Sequence, residues 1–454
     1  MSVDKLVDST ALDAGLTSIA NAIRRKSGGS KQLSFPDGFV DEIGDIAATY
    51  DKTPIDDVTF VDYDGTVLYT YSADEFLALT EMPANPSHTG LVAQGWNWTL
   101  AGAKEYVGEN GCLCIGQNYT TDDGCTRFYV TIPADMTDCP MYVVMYTSIK
   151  GGVTIDWGDG ETTITDGNAN NYKVYSHYYS NGGDYMIELD CTDGTFSLGY
   201  NGANLGLFYT NTNLSQMSRM FVHKVEIGDN CDTVYRQAFA GCANLKTISI
   251  PTSLLYYSSA ITNSYLFDTC SCLKCVVFPQ GADIKGSQDF NHCYNIGFIS
   301  YGENVTLPTS LTQFYISNGY NFLTNLKMIT LPPVTILSSL GYNYKNIERM
   351  AIPGTYTTLS GRTVDECYKL RKIIIPESVT TIADYAMMST PLKELHMRPT
   401  TPPTISNTRG MPNMATFNGV IYVPYSADHS ILEAYKTATN WSTYAQYIQE
   451  ESQS

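Results

Sequence analysis

A short motif, Leu-x-x-Ile-x-Ile-Pro, returns through the second half of the chain with a period of about 23 residues. Each copy alternates apolar and polar residues and most end in proline, which is the pattern of a short strand followed by a turn. A unit of this length cannot bury its apolar face alone, so consecutive copies have to stack on one another. The copies begin at Val222, Leu245, Leu273, Ile296, Leu326, Ile347, Leu370 and Leu392.

A phenylalanine and a cysteine hold fixed places before several copies, six and three residues ahead: Phe239, Phe267, Phe290, Cys242, Cys270, Cys293 and Cys367. Free cysteine is among the most buried residue types, so this recurrence predicts an internal column of thiols, although the 12 cysteines of the chain suffice for six disulfides. The period predicts a leucine-rich-repeat solenoid with a parallel sheet. The repeat resembles the BspA-like, treponemal-type leucine-rich repeat, which implies a solenoid over residues 198–416.

The last segment, residues 417–454, predicts a cap on this solenoid. One strand runs into Pro424, and a helix follows with Leu432, Tyr435 and Trp441 as its apolar residues. An array of repeats exposes its core at the end unless such a segment covers it. The segment resembles the terminus that arrays of this type have in common.

Residues 1–49 predict a small helical unit. The apolar stripe of a helix over residues 9–26 consists of Leu12, Leu16, Ile19 and Ile23. So small a unit cannot hold a core alone and is expected to pack on another chain or on copies of itself. The segment resembles the N-terminal module of phage and prophage tail proteins of Gram-positive hosts, which implies attachment to a particle or oligomerisation.

Residues 50–126 predict an α+β linker module, and part of it resembles a module between tail-type domains of gut phages. Its first strands flank Asp62-Tyr-Asp64-Gly65. One interpretation makes Asp62 the nucleophile of a haloacid-dehalogenase-type phosphatase, with Asp64 as acid–base partner and Mg²⁺ beside them. The other makes Asp64-Gly65 the loop of a β-hairpin, because both residues tolerate positive φ.

The hairpin is favoured, because no βαβ succession links this turn to a distal acidic pair such as Asp229 and Asp232. Replacing Asp62 by Asn is therefore expected to leave every measurable property unchanged.

Residues 127–197 predict a β-sandwich. The motif Asp-Trp-Gly-Asp-Gly begins at Asp156. It is followed by regularly spaced aromatic, glycine and apolar residues, namely His177, Tyr179, Gly183, Tyr185 and Ile187. The pattern resembles PKD-like, immunoglobulin-type domains, which implies a spacer or sugar-contacting module with Trp157 in its core. Asp156 and Asp159 are candidate Ca²⁺ ligands, and the alternative is that they bond turn amides.

Other candidate metal donors are weaker. A zinc site would use Cys270, Cys272, Cys275 and His292, but structural zinc takes paired knuckles at set spacings and the second pair is missing. Cys112 and Cys114 are interpreted as packing residues. We therefore predict no catalytic residue, no cofactor and no metal, and expect a protein that is not an enzyme.

Composition limits the classes of partner that the chain is expected to bind. The formal net charge of −19 repels a phosphate backbone and disfavours nucleic-acid binding. No stretch approaches the roughly 18 apolar residues of a membrane helix, and the N-terminus lacks a signal-peptide pattern, so neither membrane insertion nor ordinary secretion is expected. Charged residues make up 16% of the chain and tyrosine alone numbers 34, which suits β-rich folds with aromatic recognition surfaces.

These features predict a multidomain, mainly β protein with a small helical N-terminal unit, an α+β module, a PKD-like β-sandwich and a leucine-rich-repeat solenoid with a C-terminal cap. The predicted function is that of a phage or prophage tail or baseplate protein of the virion that binds a host surface. Expected partners are other tail proteins, a bacterial surface glycan or protein, and copies of the chain, with a trimer favoured. The alternative is a secreted BspA-like adhesin on the bacterial surface. Candidate receptor contacts are the tyrosines between repeat strands, Tyr256, Tyr257, Tyr320, Tyr342 and Tyr344.

Overall fold

The structure is a computed structural model. It describes residues 55–147, 152–165, 172–191, 194–199, 207–208, 215–235, 237–254, 256–258, 266–284, 290–306, 313–314, 323, 325–331, 336–337 and 345–452. The chain divides into two compact units, Met1–Ile55 and Asp56–Ser454. The helical unit predicted for residues 1–49 lies outside the described residues.

Residues 56–126 fold into a four-stranded sheet with two helices. The elements are β1 (Val58–Val61), β2 (Val67–Tyr71), α1 (Ala73–Leu77), β3 (Leu91–Trp96), α2 (Leu100–Asn110) and β4 (Leu113–Thr121). The strand order is β2-β1-β4-β3, with β1 antiparallel to β2 and parallel to β4. A capping box of Ser72 and Glu75 begins α1, and α2 ends at Gly111, which has a left-handed backbone.

A two-sheet sandwich follows. Its strands are β5 (Thr126–Ile132), β6 (Met141–Thr147), β7 (Thr154–Asp156), β8 (Thr162–Ile164), β9 (Lys173–His177), β10 (Gly183–Asp190) and β11 (Phe196–Leu198). One sheet contains β5-β10-β7-β8 and the other β11-β6-β9. Trp157 is buried in the core, as predicted, and its carbonyl oxygen accepts a hydrogen bond from the Tyr179 hydroxyl at 2.8 Å. The PKD-like identity of the sandwich stays a prediction.

The solenoid is built from two rows of short parallel strands. The first row is β12 (Val222–Glu226), β14 (Thr247–Ser249), β16 (Cys275–Val277), β18 (Phe298–Ser300), β20 (Met328–Ile329), β22 (Arg349–Met350), β24 (Lys372–Ile375), β26 (Glu394–Met397), β28 (Val420–Val423) and β29 (Ile448–Glu450). The second row is β13 (Cys231–Tyr235), β15 (Tyr256–Ser258), β17 (Asp283–Ile284), β19 (Gln313–Phe314), β21 (Ile336–Leu337), β23 (Thr358–Leu359), β25 (Thr381–Ile382) and β27 (Thr404–Ile405).

Short helices complete this half of the chain. They are α3 (Ser215–Ser218), α4 (Met414–Phe417), α5 (Ser430–Thr437) and two 3₁₀ helices, Thr408–Gly410 and Ser442–Tyr447. Among the described residues, no helix has both the length and the apolar character needed to cross a membrane.

The sandwich and the solenoid share both sheets. Strand β12 pairs antiparallel with β5, and β13 pairs in parallel with β11. Phe128 of the sandwich packs against Phe208, with ring centroids 5.0 Å apart. One apolar cluster runs from Phe128 to Ile448, so the sandwich closes the N-terminal end of the repeat array.

The solenoid core contains the predicted columns. Phe239, Phe267 and Phe290 stack with centroid separations of 5.6 and 5.7 Å. The thiols of Cys270 and Cys293 donate to the carbonyl oxygens of Phe239 and Phe267, both at 3.1 Å. All 12 cysteines are thiols, and Cys272 alone is partly exposed, so the prediction of a buried column without disulfides is confirmed.

The C-terminal segment covers the other end of the array. Its side chains donate to backbone carbonyl oxygens of the last turns, from Tyr435 to Pro399, Asn440 to Ile405, Trp441 to Pro403 and Tyr444 to Thr408, at 2.7 to 2.8 Å. These bonds satisfy backbone groups that would otherwise end the array without partners. The mainly β fold with a C-terminal solenoid is therefore confirmed.

Candidate functional site

The turn after β1 is a hairpin, as predicted, but its loop runs from Asp62 to Thr66 rather than over Asp64 and Gly65 alone, because Val61 pairs with Val67. Strands β1 and β2 pair antiparallel, and the Gly65 amide donates to the carbonyl oxygen of Asp62 at 3.0 Å. Gly65 has a φ of 86°, which glycine adopts without the steric cost of a side chain.

The carboxylate of Asp62 points inward and is only 3% exposed. Its Oδ1 accepts from the Tyr119 hydroxyl and the Tyr63 amide, both at 2.8 Å, and its Oδ2 lies 2.7 Å from His88 Nε2. Burial, followed by the hydrogen bond to Asp62, raises the pKa of Tyr119. These contacts argue against the expectation that Asp62→Asn changes nothing, because the carboxylate joins three segments.

The acidic pair Asp229 and Asp232 is engaged with hydroxyl groups. Asp229 accepts from Ser253 at 2.6 Å, and Asp232 accepts from Thr195 at 2.6 Å and Ser197 at 2.9 Å. These bonds give both carboxylates a role in joining neighbouring strands.

The sandwich turn uses its carboxylates as the second interpretation predicted. Asp156 accepts from the Gly158 amide at 2.8 Å, and Asp159 accepts from the Glu161 amide at 3.1 Å. The other oxygen of Asp159 lies 2.7 Å from His177 Nε2, and the His177 ring stacks on Trp157 at 5.0 Å. The two aspartates are candidate Ca²⁺ ligands on the sequence alone.

The cysteines considered for zinc lie in different surroundings. Cys270 belongs to the thiol column, whereas Cys275 faces Cys114 of β4, and burial followed by that neighbour raises the pKa of Cys275. Cys112 and Cys114 are both buried.

In the described part of the chain, the one group of three metal-donor side chains within 4.8 Å is Asp123, Cys125 and Glu188. Arg127 forms ion pairs with both carboxylates of this group. Burial raises the pKa of the Cys125 thiol to about 12, which opposes the thiolate that a metal requires.

The five tyrosines predicted to contact a receptor stay a prediction. Tyr320, Tyr342 and Tyr344 lie outside the described residues. Tyr256 and Tyr257 belong to β15.

Residues 56–126 cover the outer face of the first strand row. Strand β4 crosses β14, β16, β18 and β20, and all nine of its residues are buried. The Cys114 carbonyl oxygen accepts from the hydroxyls of Ser300 at 2.7 Å and Thr330 at 2.9 Å. A Cβ on Gly116 would lie 2.4 Å from the methyl groups of Val277, so the strand packs against this row at the closest distance that glycine allows.

Asn97 holds this cover in place. Its amide nitrogen donates to the Ser300 hydroxyl at 2.9 Å and to the Phe278 carbonyl oxygen at 3.0 Å, and its Oδ1 accepts from the Gly116 amide at 2.9 Å. At the edge of this contact, Arg349 Nε of β22 donates to Asp57, just before β1, at 2.9 Å. The face of these central repeats is thus occupied within the chain, a contact that the prediction of a linker module did not anticipate.

A pocket of about 400 Å³ opens at the C-terminal end of the solenoid, between the last repeat turn and the cap. Its floor is buried and consists mainly of Met411, Met414 and Tyr444. Exposed polar side chains stand around it, among them Thr443 and Gln446. The walls are α4 and the two 3₁₀ helices.

One cation lies at the rim of this terminal pocket. The guanidinium of Arg409 pairs with Asp384 at 2.7 Å and donates to the Tyr385 hydroxyl at 2.6 Å. Arg409 therefore already has a carboxylate partner, Asp384, on the repeat turn. Among the described residues, no carboxylate lines the pocket.

Sequence reasoning missed the pocket because 3₁₀ helices leave no periodic pattern of apolar residues. The run from Ser442 to Tyr447 is largely polar, and only Trp441 beside it signalled a packed cap. The packing of β4 on the repeat strands was missed for a related reason. Polar residues such as Gln117, Asn118 and Thr120 do not predict a buried strand.

Comparison with known proteins bears on the repeats. Residues 216–307 and 302–407 match the family described as BspA type Leucine rich repeat region, in six copies. The repeat region is therefore similar to BspA type repeats, as its phenylalanine, cysteine and leucine spacing indicated. No curated protein matches the chain.

Proposed function

We propose that the protein is a non-enzymatic adhesive component of a phage or prophage tail or baseplate, and that its solenoid half contacts a bacterial surface. The adhesive part rests on the match of residues 216–407 to BspA type repeats. The tail part rests on the resemblance of residues 1–49 to the N-terminal modules of tail proteins.

The construction of the solenoid supports adhesion. The array is closed by the sandwich at one end and by the cap at the other, and it shares one apolar core. Such an array presents fixed side chains over a long surface at little entropic cost on binding. Further copies of the chain, with a trimer favoured, would multiply weak contacts through avidity.

A secreted bacterial surface adhesin is the second candidate. The family match favours it as much as it favours the tail protein, because repeats of this type carry the adhesive surface in both proposals. The two candidates differ in where the protein is found.

Immunogold electron microscopy of a producing culture separates them. The antibody is raised against the full chain, and the control is the same antibody absorbed with purified protein. Gold at the tips or sides of tail-like particles is the expected result. Gold spread over cell surfaces without particles would leave the adhesin and contradict the tail protein, and gold confined to the cell interior would contradict both.

A further inference from the structure

The terminal pocket has the properties of a site for a small neutral ligand. Its volume of about 400 Å³ lies within the range of roughly 300 to 1,000 Å³ that small-molecule sites occupy. Its floor of methionine and tyrosine is apolar, and its rim offers amide and hydroxyl groups. This combination of an apolar surface with a few polar groups around it is what orients a small ligand.

The charge balance of the pocket sets it apart from the rest of the surface. The chain has 46 acidic residues against 27 Lys and Arg, yet none of the described residues that line this pocket carries a carboxylate. The cation at its rim, Arg409, already pairs with Asp384. A cationic ligand would find no carboxylate here, and an anionic ligand would have to compete with Asp384 for Arg409, so the pocket favours an uncharged one.

The polar groups at the rim are available for hydrogen bonds. Asn413 uses its Oδ1 to accept from the Thr416 amide at 3.0 Å, which leaves the two donors of its amide nitrogen. Gln446 is exposed and can both donate and accept. The Tyr444 hydroxyl, by contrast, donates to the carbonyl oxygen of Thr408, so Tyr444 presents its ring to the floor.

We propose that this pocket binds a neutral sugar unit that carries an acetamido group, that is, an N-acetylhexosamine of an envelope glycan. The carbon–hydrogen face of a pyranose and the acetyl methyl group pack on Met388 and Tyr447, the partly exposed apolar side chains of the lining above the buried floor. The amide of the acetamido group exchanges hydrogen bonds with Gln446 and Asn413. The identity of the ligand as an envelope glycan rests on the proposed adhesive function, whereas the pocket itself does not.

Saturation-transfer NMR and titration of the full chain test the site, with N-acetylglucosamine and glucose as probes. We expect N-acetylglucosamine to bind and glucose to bind at least about fivefold more weakly, because glucose lacks the acetamido contacts. Gln446→Ala should weaken binding by a similar factor, and Ala415→Trp, which fills the pocket, should abolish it. Gln449→Ala is the control, since Gln449 is exposed on β29 and does not line the pocket.

Absence of saturation transfer from the unmodified chain overturns the proposal, and so does equal binding of the two probes. Unchanged affinity in both pocket variants overturns the location. Binding of fluorescent full chain to bacterial cells is measured in parallel. If the chain binds cells but no sugar, the proposed sugar site is wrong and the adhesive function stands. If it binds the sugar but no cells, the sugar site stands and the adhesive function is wrong.

Discussion

At the scale of single residues, carboxylates in this chain serve as acceptors that join segments. The carboxylate of Asp62 accepts hydrogen bonds from the Tyr63 amide and the Tyr119 hydroxyl and lies 2.7 Å from His88 Nε2. These partners belong to three parts of residues 56–126. Its neighbour Asp64 accepts from the Thr66 amide, at 2.8 Å near the surface. Two aspartates of one turn therefore differ in what their carboxylates support.

We predict that Asp62→Asn lowers the free energy of unfolding by about 1 to 3 kcal/mol, because one of its oxygens becomes an amide that cannot accept. Asp64→Asn is the matched control and should stay within about 0.5 kcal/mol, since asparagine accepts the same amide bond at an exposed turn. Urea denaturation of both variants measures the difference. A loss of magnesium-dependent phosphatase activity in Asp62→Asn at unchanged stability would instead restore the nucleophile interpretation.

The thiols give a second prediction at this scale. Burial raises the pKa of Cys112 to about 12, so at pH 8 about one thiol in 10⁴ is the reactive thiolate, far fewer than at an ordinary cysteine. Native protein should therefore react with a thiol reagent only at Cys272, and all 12 thiols should react in denaturant. In Cys272→Ser the native reaction should vanish. Rapid labelling of several native thiols would show that the column is accessible.

At the scale of elements, β4 decides how residues 56–126 sit on the solenoid. Cys114, Gly116 and Asn118 alternate along the strand and face the repeat strands, and Asn118 donates to the Ile250 carbonyl oxygen at 3.0 Å. The repeat strands contact β4 through small side chains, including Ser300 and Thr330. The contact depends on side chains small enough for two sheets to approach closely.

Gly116→Ala should destabilise the protein by about 1 to 3 kcal/mol and raise hydrogen exchange along β4, because its methyl group would collide with Val277. Gly108→Ala is the control within the same unit. Gly108 lies in α2 with no atom within 4 Å of an added Cβ, so this change should stabilise by about 0.5 to 1 kcal/mol. Equal exchange of β4 in the two variants would contradict the close approach.

How much of this the sequence predicts depends on how local the signal is. The repeat strands and the Asp64-Gly65 hairpin were predictable because spacing and turn chemistry act over a few residues. The Cys270 column was predictable because the repeat places it in register. The docking of β4 and the pocket beneath Gln446 were not, because they depend on contacts between residues more than a hundred positions apart or on irregular helices.

At the scale of the whole molecule, the sandwich acts as the N-terminal cap of the solenoid. Strands β5 and β11 continue both sheets, so no repeat strand at this junction ends as an open edge. Open edges of parallel sheets recruit other chains and aggregate. The sandwich therefore does for the first repeat what Trp441 and its neighbours do for the last.

This arrangement predicts that a chain starting at residue 200 is much less stable than one starting at Asp56. The shorter chain loses β5 and β11 together with the cover of the first strand row by β4, and it exposes Phe208 and the edges of β12 and β13. Each buried aromatic or aliphatic side chain left without packing costs a few kcal/mol, so the melting temperature should fall by at least about 10 °C, or the fragment should aggregate. Thermal melts followed by circular dichroism, with size-exclusion chromatography, compare the two. If the fragment melted at the same temperature as the longer chain, the sandwich would be a separate domain attached to a self-sufficient solenoid, because a cap cannot be removed without cost to the core it covers.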